Sequence, residues 1–204
     1  MGHSARALPA VAQAAAMSML TVASRPAIRR PHRLPPIGTP SLLTTVLRLP
    51  GTWDQAQSAY AGHYVYPPGT VHLTVASLDG ASRDTDEAIS ELVPRRLPAP
   101  TFTITGVGCS PGTVFLRCIH DDAFAELRAE VRRAFGRPPD RHPAGALFGR
   151  LSYANVVRFD GPAHWRAVSF ESRRVTCDVL EVVRTDRVLS PAGTVVLARL
   201  PLHP

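Results

Sequence analysis

Residues 69–78, Gly69-Thr70-Val71-His72-Leu73-Thr74-Val75-Ala76-Ser77-Leu78, read as a strand entered from the Pro67-Pro68-Gly69 turn. Side chains along a strand alternate between its faces, so His72 and Thr74 share one face while Leu73 and Val75 share the other. Residues 148–157, FGRLSYANVV, repeat the form: Arg150, Leu151 and Ser152 open a strand after a Pro/Gly-rich loop. The two triplets begin 150 − 72 = 78 positions apart, each after a strand and a helix, and the halves read as a diverged duplication.

The remaining punctuation fits that plan. SLLTTVLRLP, bounded by Pro40 and Pro50, reads as the first strand, and a short helical stretch follows from Trp53 to about Ala61. After the Asp79-Gly80 turn, TDEAISELV reads as a helix capped by Thr85. TFTITGVG and TVFLRCIH form a hairpin around Ser110-Pro111-Gly112. DDAFAELRAEVRRAFG is the clearest helix, with Phe124, Leu127, Val131 and Phe135 on one stripe, acids first, arginines last and Gly136 as its stop. RLSYANVVRF reads as a strand, and RRVTCDVLEVVRTD and GTVVLARLPL as two closing strands.

Hairpin-like neighbours without a crossover helix between every strand pair predict an α+β domain with antiparallel sheets. No Walker or Rossmann glycine loop is present. Residues 1–40, rich in Ala, Pro and Arg, read as an N-terminal extension, because repeated prolines remove backbone donors. Residues 41–204 are then the folded domain.

Every one of the 23 basic residues is arginine, and the formal net charge of +7 favours anionic ligands. The arginines are scattered and not interleaved with aromatics, which argues for a local anion pocket over a long nucleic-acid track. Cys109, Cys118 and Cys177 have neither CxxC spacing nor a disulfide pattern, so reduced thiols are expected and no metal site is assigned. The apolar run 7–23 is short for a membrane span and interrupted by Gln13 and Ser18, which predicts a cytoplasmic protein without a membrane partner, with a signal peptide as the lesser alternative; a monomer is expected.

With its paired strand triplets, the chain resembles the two-histidine (2H) phosphoesterase superfamily, which holds RNA ligase-like proteins and cyclic nucleotide phosphodiesterases. The likeness spans residues 41–202, including the closing run LEVVRTDRVLSPAGTVVLARLPL. It implies two pseudo-symmetric lobes of antiparallel strands, helices outside, and a cleft between them. His72 then matches the first catalytic histidine, Thr74 and Ser152 the two phosphate-binding hydroxyls, and Arg150 the place of the second histidine. In such a cleft one imidazole takes a proton from attacking water while the other protonates the leaving oxygen, and the hydroxyls hold the phosphate in line, without a metal or other cofactor.

Arginine at position 150 makes the second motif degenerate, since a guanidinium clamps an oxyanion but cannot shuttle a proton. The implied function is a phosphoesterase-like protein that binds a small phosphorylated ligand or RNA end, cyclic or 2'-5' linked, with catalysis in doubt. The alternatives are an active 2',3'-cyclic phosphodiesterase or RNA ligase-like enzyme using His72, and an enzyme repurposed for a non-phosphate substrate. Other candidates are weaker. His63, Tyr64 and Tyr66 are expected at a cleft rim, Tyr153 in the core and Asn155 in or behind the cleft. Loop His142 is a substitute proton donor, more simply read as solvated. His120-Asp121-Asp122 looks like a metal set, but its two acids are better read as a helix cap and first-turn charges.

Overall fold

The computed structural model describes residues 40, 42–53, 64–110, 112–138, 150–158, 169–186 and 188–204, all within the unit Pro31–Pro204. Two antiparallel sheets carry the fold. The first has the order β3-β1-β8-β9, built from β1 (Leu42–Arg48), β3 (His72–Ser77), β8 (Val179–Thr185) and β9 (Thr194–Pro201). The second has the order β2-β6-β5-β4-β7, built from β2 (Tyr64–Val65), β4 (Thr101–Ser110), β5 (Thr113–His120), β6 (Leu151–Arg158) and β7 (Arg173–Thr176). Two helices, α1 (Thr85–Leu92) and α2 (Asp122–Ala134), complete the described elements. The α+β expectation with two strand lobes holds.

One apolar cluster runs through both lobes. Leu47, Leu73, Val75, Leu180 and Val182 of the first sheet join Phe102, Ile104, Leu116 and Ala154 of the second, with Leu92 of α1 and Phe124, Leu127 and Val131 of α2. Burial of this many aliphatic and aromatic side chains is the main force holding the lobes together. Phe102 and Phe124 meet edge to face, with centroids 5.2 Å apart, and seat α2 on the second sheet. A separate small cluster, Val46, Val183 and Leu189, lies under the β8–β9 loop.

Three local expectations are corrected. The N-cap of α1 is Asp84, whose carboxylate accepts from the amides of Asp86 (2.9 Å) and Glu87 (3.2 Å), so Thr85 is the first helical residue. The closing run holds three strands: Arg173–Thr176 pairs with β4 in the second sheet, and Cys177 and Asp178 carry the chain across to β8 in the first. A sequence run that changes sheets keeps strand composition throughout, which is why it reads as one strand. Tyr153, expected in the core, is 46% exposed. The helical stretch expected from Trp53 to Ala61 lies outside the described residues beyond Trp53. By contrast, α2 begins at the expected cap, where Asp121 accepts from the amides of Phe124 (3.3 Å) and Thr101 (2.9 Å).

Candidate functional site

His72 opens β3 opposite Arg48 of β1, and Thr74 lies opposite Val46. An extra β3 residue shifts the register between Thr45 and Val46, beyond this pair, so His72 and Thr74 keep a common face, away from Leu73 and Val75 in the core. The imidazole is only 5% exposed, while Thr74 is open to solvent. Nδ1 of His72 sits 2.8 Å from the Thr70 carbonyl oxygen. A carbonyl only accepts, so Nδ1 bears the proton and Nε2 keeps a lone pair.

The charges around this ring come from four strands. Arg48 donates through Nε to Glu181 at 2.9 Å and through Nη1 to the same Thr70 carbonyl at 3.2 Å. Arg199 of β9 donates to the other oxygen of Glu181 at 3.1 Å. From the second sheet comes Arg158, at the end of β6, reaching Tyr66 Oη (3.5 Å) and Thr113 Oγ1 (3.4 Å) at the limit of hydrogen bonding. It has no carboxylate partner among the described residues. Tyr66 bridges the lobes: its amide donates to Val156 of β6, and its ring centroid lies 5.6 Å from that of His72.

Burial lowers the His72 pKa to about 4; the Thr70 hydrogen bond opposes this, Arg48 and Arg158 add to it, and Glu181 opposes it. The ring is neutral at pH 7. Burial pushes Glu181 upward, but the hydrogen bonds and charges of Arg48 and Arg199 outweigh it and hold the carboxyl below its usual range. Tyr64, edge to face with Tyr66 at 5.1 Å, is pushed up to about 12, chiefly by burial. Its buried hydroxyl has no hydrogen-bond partner among the described residues. Asp186 also faces the tyrosines, with its carboxylate engaged by the amides of Val188 and Ser190 and by the Ser190 hydroxyl.

The second triplet sits differently. Arg150 donates to Asp122 at the start of α2, 2.5 Å away. Its carbonyl accepts from the His120 amide, and Ser152 pairs with buried Cys118. Directly opposed strand residues project to the same side, so Arg150 and Ser152 belong with His120 and Cys118 on the face covered by α2. The alternation predicted for this strand is present, with its faces reversed: Leu151, Tyr153 and Asn155 take the open face. Arg150 also lies eight residues, about 26 Å of strand, from Arg158, and its side chain is committed to α2 instead of to His72.

The sequence reading thus missed Arg158, Arg48 and Glu181. The β1–β3 pairing sets Arg48 opposite His72, the β1–β8 pairing brings Glu181 to Arg48, and the passage of Tyr66 between sheets brings Arg158. Of the proposed rim, Tyr64 and Tyr66 are at the site, whereas His63 and His142 lie outside the described residues. His120 is buried against Phe124 with Nδ1 on the Asp121 carbonyl, and Asp121 is a cap. Among the described residues no group of three His, Cys, Asp or Glu is placed to hold a metal, and no helix is long and apolar enough to cross a membrane. A cavity of about 470 Å³ opens at the far end of β1, lined by Leu42, Asp79, Arg83 and Arg184; Arg83 is committed there to Glu91.

The profile of the 2'-5' RNA ligase superfamily matches residues 46–188. Among solved structures, Escherichia coli LigT complexed with NADP+ superposes with a TM-score of 0.57 and 17% identity, over 80% of this chain and 98% of LigT. TT0787 of Thermus thermophilus gives 0.54 and 19%, over 79% of this chain and 98% of its own. E. coli LigT complexed with 3'-AMP gives 0.53 and 18%, over 81% and 99%. Identities this low establish likeness of fold. No curated protein matches the chain.

Proposed function

Because the chain belongs to the 2'-5' RNA ligase superfamily, we propose that it binds a phosphorylated nucleotide end, cyclic or 2'-5' linked, at the cleft face that carries His72. The observation that carries this reading is the imidazole held with Nδ1 on Thr70 and flanked by Arg48 and Arg158. The two guanidiniums supply attraction for a phosphate, Thr74 supplies a hydroxyl on the same face, and Nε2 of His72 accepts a proton from a hydroxyl or water. LigT has been crystallised with NADP+, ATP, 3'-AMP and phosphate, which agrees with an anion-binding cleft in this fold.

Turnover at this site is expected to be slow or absent. No second imidazole stands beside His72 among the described residues, and Arg150, where the family carries its second histidine, is paired with Asp122. General acid–base catalysis supplies typically ~10²–10⁴-fold in rate, and a cleft with one imidazole forgoes part of it. The chain is therefore read as a nucleotide-phosphate binder with little or no diesterase activity. Ser152 and Arg150 support the α2 side of β6 in this reading, and residues 1–40 are an extension to a domain of residues 41–204.

The test is calorimetric titration of the full chain with 2',3'-cyclic nucleotides, alongside steady-state assay of their hydrolysis. Saturable binding that is weakened in Arg48→Gln and Arg158→Gln is expected, with slow or absent hydrolysis. No binding by any phosphate ester would sink the proposal. Brisk hydrolysis abolished by His72→Ala would replace it with the active diesterase.

A further inference from the structure

The open face of the second sheet continues from the His72 site. Asn155 faces the Tyr66 hydroxyl and lies opposite Phe115 on β5. One step further along β6, Tyr153 lies opposite Arg117, and beyond it Leu151 lies opposite Ile119, which is 45% exposed. Tyr153 and Phe115 meet edge to face with centroids 4.7 Å apart. An exposed tyrosine beside a half-buried phenylalanine is an unusual use of a sheet surface, because large apolar rings are normally withdrawn from water.

The neighbouring strand is shaped to hold this surface. A Cβ at Gly108 of β4 would lie 2.3 Å from the Phe115 ring, and one at Gly106 would lie 3.0 Å from the Arg117 guanidinium. Phe115 and Arg117 thus lie across a strand that has no side chains at those positions. Arg117 has no carboxylate partner among the described residues, and Arg174 of β7 opens onto the same face opposite Thr103. Exposed aromatic surface, guanidiniums without a carboxylate partner among the described residues and an amide side chain, in line with an anion site, are the chemistry that takes an unstacked nucleobase and its backbone.

We infer that Phe115, Arg117 and Tyr153 form a stacking platform for a base of single-stranded RNA whose phosphate end occupies the His72 site. This rests on the nucleotide-phosphate reading of that site and extends it from a mononucleotide to an RNA strand. Tyr153 is two residues, about 7 Å, from Asn155 along β6, so the second nucleotide from the end is the one that reaches it. Arg117 and Arg174 then face the backbone, giving a moderate salt dependence.

Binding of the full chain to RNAs of one to four nucleotides ending in a 2',3'-cyclic phosphate tests the platform, by calorimetry at fixed salt. Affinity should rise on going from one to two or three nucleotides. Tyr153→Ala should erase that rise, a loss of about 5- to 150-fold, while leaving the mononucleotide affinity unchanged, and Tyr153→Phe should restore it. Gly108→Val, which displaces the Phe115 ring, should act like Tyr153→Ala. Equal affinity for one and three nucleotides overturns the platform but leaves the phosphate site standing. A length dependence untouched by Tyr153→Ala overturns it too, in favour of charge alone. Failure of even the mononucleotide to bind brings down the underlying site.

Discussion

His72 and Thr70, two residues apart, are joined by an Nδ1–H···O=C hydrogen bond of 2.8 Å. The same carbonyl takes Nη1 of Arg48, so ring tautomer and guanidinium position are set by one backbone oxygen. His72 is thus locked in place by the turn that precedes it. Its reactive nitrogen is directed by the fold before any ligand arrives.

The first prediction follows from burial of this ring. With a pKa lowered from 6.5 to about 4, folded His72 resists protonation that the unfolded chain accepts. Its contribution is whole above pH 6.5 and is lost as pH falls through 4, a loss of about 3 kcal/mol in all. Glu181, also depressed, adds its loss at the acid end. Urea unfolding at successive pH values should show stability falling across this window, and His72→Gln should flatten the part above pH 4.5. An NMR titration with the ring already charged at pH 6 would contradict the assignment.

Ligand charge gives a second prediction. A phosphate between Arg48 and Arg158 removes the repulsion that those cations exert on imidazolium, so the His72 pKa should rise when inorganic phosphate or a nucleotide binds, with proton uptake. Calorimetry in two buffers of different ionisation enthalpy measures that uptake at pH 5 to 6. Binding without protonation at this pH would place the anion elsewhere.

The two arginines of β6 and its entry should behave differently. Arg158→Gln is expected to weaken nucleotide-phosphate binding about tenfold or more, as loss of a charge-assisted contact does. Arg150→Gln should leave it unchanged, since that guanidinium is on Asp122. For the same reason Arg150→His alone should not raise diester hydrolysis. A clear gain in turnover by Arg150→His would show that residue 150 reaches the cleft in the working protein.

Asp84→Ala should cost α1 about 1 kcal/mol, whereas Thr85→Ala should be close to neutral, because the capping oxygen belongs to Asp84. Thermal or urea unfolding of the two variants separates these outcomes directly.

Removal of residues 1–38 should leave a cooperatively folding protein. The first described strand starts at Leu42, and repeated prolines before it deny residues 1–38 a regular helix or central strand. Non-cooperative thermal unfolding of the truncated chain would show that the extension completes the core.

Local signals carried much of the fold into view. The stripe Phe124, Leu127, Val131 and the Asp121 cap mark α2, and the Ser110-Pro111-Gly112 turn marks the β4–β5 hairpin, because each depends on neighbours within a few residues. His72 and Thr74 were legible as a pair for the same reason. The surroundings of His72 were not, since Arg48, Glu181 and Arg158 arrive through strand pairings distant in sequence. Face assignment in β6 was equally hidden: period-two alternation says which residues share a side, and only pairing with Cys118 and Ile119 says which side is covered.

The place of β1 between β3 and β8 also governs how the molecule is made. Arg48 and Glu181, neighbours in the sheet, are 133 positions apart in sequence. As the chain leaves the ribosome, β1 meets β3 early, but its other edge waits until nearly the whole protein has been synthesised. During that interval an unpaired rim of aliphatic strand is open to other nascent chains. Neither half can be produced as an independent fragment with its sheet intact: a chain ending before Val179 leaves one edge of β1 bare, and one beginning after Arg48 leaves β3 and β8 with nothing between them.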